Sequence, residues 1–222
     1  MDSKVNLFLN STSPRRKDIL VKILSLIDPS IEIGIIKPTF AEDLDKNVFS
    51  TSKDYLLENT RMKCDAGVLS TALNESISGY PIIIISADTI LTNSTYTRVL
   101  EKPTDEKHNY QMLQEQLEDG SIICMTSVQI TLMKNSLIVK QDQFLQEAKI
   151  VLDNSLLNRK KSSIDLIQNY VNTGEGLDAA GGFKIQEKGS FMVKEIDGDF
   201  YTVVGLPFNS TLISLTDIIS SL

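Results

Sequence analysis

Two hydrophobic rhythms take turns along this chain. Short apolar runs, VNLFL (5–9) and IEIGII (31–36), predict buried strands, and YPIIIISADTIL (80–91) is the most apolar of them and predicts a central one. Between them, apolar positions recur every three or four residues. Ser13 and Pro14 mark the start of the first such stretch, a cap followed by proline at the first helical position, with Ile19, Leu20, Ile23, Leu24 and Ile27 on one face. Helices are also predicted over about Ser52 to Ala72, over TDEKHNYQMLQEQL (104–117), over SIDLIQNYVNT (163–173), and over the C-terminal PFNSTLISLTDIISSL (207–222). IICMTSVQITLMK (122–134) and LIVKQDQFLQEAKIVL (137–152) predict two long strands. SFMVKEIDGDFYTVVGL (190–206) predicts a hairpin turning at Asp197-Gly198.

Strands alternate with helices in the first half and dominate the second. No repeat and no separating linker interrupts them. The pattern predicts one mixed α/β domain over residues 1–222, a mixed sheet with flanking helices in two lobes around a central cleft. NSLLNRKKSS (154–163) reads as a polar surface excursion.

Composition narrows the function without choosing it. Of 222 residues, 41% are apolar and 23% charged, with a net charge of −7. An acidic chain without a basic stripe is not built for a nucleic acid polymer, whose phosphates need clustered lysine and arginine. Local basic pairs still suit a small polyphosphate. Cys64 and Cys124 form no CxxC or metal spacing and are expected as reduced thiols. No apolar run reaches membrane-spanning length and no signal-peptide core opens the chain, so a cytoplasmic location without a membrane partner is expected. The single histidine, His108, lies on a charged helical stretch and is expected to be solvated, which argues against histidine chemistry.

Five segments can carry chemistry. In STSPRR (11–16), Ser11 and Ser13 combine with Arg15 and Arg16 at a helix start. Two cations there oppose the helix dipole unless an anion arrives, and phosphate is such an anion. The alternative is a simple cap with two solvated arginines. In SADTIL, Asp88 and Thr89 follow a very apolar strand at its expected carboxyl end, where ligands bind in open α/β sheets. A buried carboxylate there suits a metal or an activated water, or alternatively caps the strand. FAEDLDK brings Glu42, Asp43 and Asp45, and EKPTDE brings Lys102; alone, each reads as a solvated loop charge. GEGLDAAGGFKIQEKG holds Gly181-Gly182, which allow close backbone approach, and Gln186, whose carboxamide can read a base edge, unless the segment is only a flexible loop.

Taken together and in order, STSPRRKDIL, FAEDLD, MKCDAG, ADTIL, EKPTDEKHNYQML and LDAAGGFKIQEKGSFMVKEIDGDFYTVVGLP resemble the Maf family of nucleotide pyrophosphatases. The resemblance runs from about residue 5 to residue 218. It implies an α/β fold of the Maf/ITPase type and metal-dependent hydrolysis of nucleoside triphosphates to monophosphate and pyrophosphate. By motif it implies phosphate contacts from Ser11, Ser13, Arg15, Arg16, Lys63 and Lys102, a metal site at Glu42 and Asp88 for Mg or Mn, and a catalytic role for Asp88. Thr89, Gln186 and Arg15 match positions tied to base choice. The pattern KIQ, with threonine after Asp88, resembles the branch acting on dTTP and UTP. A homodimer is a further expectation from the resemblance.

Four departures stand out. Glu101 occupies the place of a usual glycine before Lys102-Pro103, Cys64 replaces an alanine, GSIICMT lacks a usual histidine, and 154–163 looks like an insertion. Glu101 could repel phosphate or pair with Lys102. It therefore keeps open a regulatory nucleotide-binding protein of the same fold with little or no turnover. A protein-interaction module without ligand is the third alternative.

Overall fold

The computed structural model describes residues 5–41, 44–72, 79–158 and 164–222, with the side chain of Asn47 outside the description. Its elements, in chain order, are strand β1 (Asn6–Leu9), helix α1 (Pro14–Ile27), β2 (Ile33–Ile35), α2 (Ser52–Ala72), β3 (Ile82–Asn93), β4 (Val99–Leu100), α3 (Glu106–Asp119), β5 (Ser121–Lys134), β6 (Leu137–Leu152), α4 (Ser155–Asn158), α5 (Leu166–Val171), β7 (Val193–Gly198), α6 (Phe200–Val204) and α7 (Phe208–Ile219). The described strands form one seven-stranded mixed sheet of order β2-β1-β3-β5-β6-β7, with β4 paired to β3. The mixed α/β class with flanking helices is therefore borne out.

Local chemistry explains the first elements. Ser13 caps α1, its hydroxyl accepting the Arg16 backbone N–H, and Pro14 takes the first helical position. Ile19, Leu20, Ile23 and Leu24 bury their side chains. α2 starts and ends where the pattern predicts. At the β5–β6 hairpin, Asn135 and Ser136 both adopt positive φ, 50° and 62°, as a two-residue loop of the primed type requires.

Two expectations need correction. Asp88 does not sit at the carboxyl end of β3: the strand, predicted over 80–91, runs to Asn93, its far half pairing antiparallel with β4 (Leu91 with Leu100, Thr92 with Val99). Its parallel pairing with β1 stops at Leu9 and Ile85, so Asp88 lies three residues beyond the parallel ladder while still inside the strand. The expected hairpin over 190–206 is also absent. β7 pairs antiparallel with β6, and the chain then turns into α6. Asp199 causes the switch: its carboxylate accepts the Tyr201 N–H at 2.9 Å and the Thr202 hydroxyl at 3.3 Å. This capping overrides the strand preference of Phe-Tyr-Thr-Val-Val. Gly198 has φ 127° and a Cβ there would meet the Ala148 backbone at 2.9 Å, so close strand approach is why glycine stands in that place.

The chain divides into two compact units. The first comprises the chain up to Asp88, Thr126–Gln146 and Gly205–Leu222; the second comprises Thr89–Met125 and Glu147–Val204. Strands β3, β5 and β6 contribute residues to both. In the first unit, Cys64, Ile82, Ile84 and Met133 pack into an apolar cluster. In the second, a larger core includes Leu113, Leu117, Ile122, Ile150 and Val171. Both cysteines are free and buried, as expected, and burial pushes the Cys64 thiol above its ordinary pKa.

Candidate active site

The first unit gathers polar side chains around the end of β1, the start of α1 and the middle of α2. Ser11 is 3% exposed, and its hydroxyl accepts the Ser13 N–H at 3.2 Å and Arg16 Nη1 at 3.4 Å. Arg16 Nε donates to the Gly205 carbonyl at 2.8 Å. Arg15 is exposed and forms no hydrogen bond or ion pair among the described residues. The first turn of α1 thus carries two cations and no acid, the arrangement that an incoming anion relieves. The two arginines are not equivalent, however. Arg16 is built into the fold through these bonds, and Arg15 is not.

Asn10 follows β1 and is fully buried. Its amide donates to the Lys63 carbonyl at 2.7 Å and to the Ser86 hydroxyl at 3.0 Å, tying α2 to β3. Gly67 makes room for it: a Cβ at that position would lie 2.6 Å from the Asn10 amide nitrogen. Lys63 itself is 4% exposed, a cost that only interactions for its ammonium offset. One turn earlier on the same face, Asn59 Nδ2 donates to Asp88 Oδ2 at 2.6 Å. Asp88 is half-buried. Ser11, Ser13, Arg16, Lys63 and Asp88 therefore all lie in one unit, where Asn10 ties α2 to β3 and Asn59 holds Asp88. Glu42 lies outside the described residues.

The second unit holds Thr89, Lys102 and Gln186. Thr89 is half-buried beside Asp88 in sequence, whereas Lys102 and Gln186 are exposed. The glycine-rich segment is not a flexible loop. Gly181 and Gly182 take φ of 72° and 77°, which glycine tolerates without strain. The Gly181 N–H donates to the Glu101 carbonyl at 3.1 Å, and its own carbonyl accepts Gln116 Nε2 at 2.7 Å. Glu175 accepts the Gly189 N–H at 3.1 Å, and the Tyr170 hydroxyl accepts the Lys184 N–H at 3.2 Å. Burial pushes the Tyr170 hydroxyl well above its ordinary pKa, so it stays protonated. Lys184 pairs with Asp178 at 2.7 Å and holds that carboxyl below the usual range. His108 is partly exposed, and its Nδ1 accepts the Thr104 N–H at 3.1 Å.

Sequence reasoning missed Asn10, Asn59, Ser86 and the Gly205 carbonyl. One signal for Asn59 was present: the buried face of α2 runs Tyr55, Leu56, Asn59, Thr60, Lys63, Cys64 and Gly67. Polar residues at core spacing mark a face that does more than pack.

The sequence profile of the Maf-like protein family matches residues 6–218, and the chain belongs to that family. It is 32% identical over 216 residues to the dTTP/UTP pyrophosphatase of Saccharomyces cerevisiae, covering 94% of this chain and 88% of that one. It is 33% identical over 202 residues to the dTTP/UTP pyrophosphatase of Methanococcoides burtonii, covering 90% and 88%. Among solved structures, a HAM1 protein from Coxiella burnetii is similar at TM-score 0.46 and 16% identity, covering 99% of this chain and 100% of that one.

Proposed function

We propose that the chain hydrolyses nucleoside triphosphates to the monophosphate and pyrophosphate, with dTTP and UTP, or modified pyrimidine nucleotides, as substrates. The observation that carries the reading is Asp88, a half-buried carboxylate fixed by Asn59 in the unit that also holds Lys63 and the arginine-bearing start of α1. The names of the relatives support the nucleotide class.

Water attacks the α-phosphorus, and Asp88 takes its proton. The bond to the bridging oxygen breaks and pyrophosphate leaves with the electron pair. The charge that develops needs fixed cations. Arg15, Arg16, Lys63 and Lys102 are the cations proposed to supply them. Ser11 and Ser13 complete the phosphate-binding turn. Gln186 and Thr89 read the base.

A divalent cation, Mg or Mn, fits the donors present. No group of three or more histidine, cysteine, aspartate or glutamate side chains able to hold a metal occurs among the described residues. Magnesium, though, is ordinarily bound by one or two carboxylates together with substrate phosphates. Asp88 is one such carboxylate and Glu42 is the proposed second. When bound, the cation supplies Lewis-acid stabilisation of phosphate charge.

The test is release of pyrophosphate from a panel of purine and pyrimidine triphosphates, with both products identified. Turnover of dTTP and UTP above the purine nucleotides is expected. Tight nucleotide binding without turnover would leave the regulatory alternative in place of hydrolysis.

A further inference from the structure

Asn59 is an expensive residue for its position. It is 1% exposed, at the centre of α2, on the face that otherwise buries Tyr55, Leu56 and Cys64. Its Nδ2 donates to Asp88 Oδ2 at 2.6 Å, while its Oδ1 is buried without a hydrogen-bond partner among the described residues. A buried acceptor left unsatisfied loses its hydration and gains nothing in return, a cost that an apolar side chain in the same place would not carry. The side chain therefore earns its place through the one bond it makes. That bond is to the half-buried carboxylate of Asp88.

We propose that Asn59 is a positioning residue: its amide fixes the rotamer of the Asp88 carboxylate so that one oxygen is held by protein and the group is aimed before substrate arrives. The proposal rests on the reading of Asp88 as proton acceptor given above. A carboxylate on a short side chain swings through several ångströms as its two torsions change, and a general base must lie within hydrogen-bond reach of the proton it takes. An amide donor on a helix, itself locked by packing, removes that freedom in advance. Asn59 touches no reacting atom in this scheme and acts only through Asp88. Asn10 ties the same two elements together, its amide donating to the Lys63 carbonyl of α2 and to the Ser86 hydroxyl of β3.

The experiment compares wild type, Asn59→Leu, Asp88→Asn and the double variant on dTTP and UTP, with kcat and KM measured separately and apo melting curves recorded. Asn59→Ala is the second variant, removing the donor without adding bulk should leucine disturb folding. The expected result for Asn59→Leu is a kcat lower by roughly 10- to 100-fold, KM within about twofold of wild type, and a melting temperature equal to or above wild type. In the Asp88→Asn background the same change should have no further effect on kcat. A purely structural residue would instead lower the melting temperature and leave the kcat of the folded fraction alone, which would overturn the proposal. An active wild type whose Asn59→Leu and Asn59→Ala variants keep their kcat would overturn it while leaving the proposed function intact. A wild type that turns over no nucleotide would bring down both.

Discussion

Lys63 in the first unit is 4% exposed, whereas Lys102 in the second is open to solvent. In the first unit the side chains themselves are fixed, Arg16 by Ser11 and the Gly205 carbonyl, Asp88 by Asn59. In the second unit the backbone is fixed, by the bonds that pin Gly181 and Gly189, while Lys102 and Gln186 project from it. The difference assigns different duties. Groups that meet a reacting atom gain most from side-chain placement set in advance. Groups that recognise a base or a leaving phosphate can sit on exposed tips, provided the backbone beneath them holds still. On this account the pre-placed Asp88 and the buried Lys63 weigh most on the rate, and the exposed Lys102 and Gln186 weigh less.

The largest effect that could break this division is expected at Asp88. Asp88→Asn should lower kcat by about 100-fold or more, the scale of a lost general base, with little change in the melting curve. Steady-state rates checked against circular dichroism decide it; a folded variant at full rate would remove Asp88 from the chemistry.

Next come the two arginines. Arg15→Ala and Arg16→Ala should each weaken binding of a non-hydrolysable UTP analogue by about 1.5–3 kcal/mol, the worth of hydrogen bonds to a charged group. Calorimetry measures this. Melting curves should then separate them: loss of Arg16 removes its bonds to Gly205 and Ser11 and costs on the order of 1 kcal/mol of stability, while loss of Arg15 costs none and relieves the α1 N-terminus. Equal melting temperatures would mean that Arg16 is no more built in than Arg15.

Smaller again is the gap between the lysines. Lys63→Met should raise the barrier in kcat/KM by about 1 kcal/mol more than Lys102→Met, because a charge acts more strongly in a dry setting than at the surface. A larger effect at Lys102 would reverse the division of labour. The smallest effect is expected at Gln186. Gln186→Ala should change the preference among nucleotides by about 1 kcal/mol or less and leave both kcat for the best substrate and the melting curve alone. Competition assays between UTP and CTP read that ratio.

How much of this was legible in the sequence follows the same division. The cap at Ser13, the helix over Ser52 to Ala72 and the central strand were readable because each is a local pattern of propensity and spacing. The continuation of β3 to Asn93 was not, since it depends on pairing with Val99 and Leu100 across a loop. The switch into α6 hid behind a strand-like composition, and only the capping bonds of Asp199 reveal it. At the candidate site, charged residues announced themselves because a charge near an apolar strand demands a reason. The two buried amides did not. Asn10 and Asn59 carry no charge, and their meaning lies wholly in what they touch, Lys63, Ser86 and Asp88, at separations of 29 to 76 residues along the chain.

The central claim is that water attacks the α-phosphorus and that pyrophosphate leaves intact. Hydrolysis of UTP by the wild-type protein in water enriched in oxygen-18 tests it in one step, with mass spectrometry of both products. The label is expected in the monophosphate, one atom per turnover, with unlabelled pyrophosphate. Label in the pyrophosphate would place the attack at the β-phosphorus, and release of labelled orthophosphate would place it at the γ-phosphorus; either result contradicts the account.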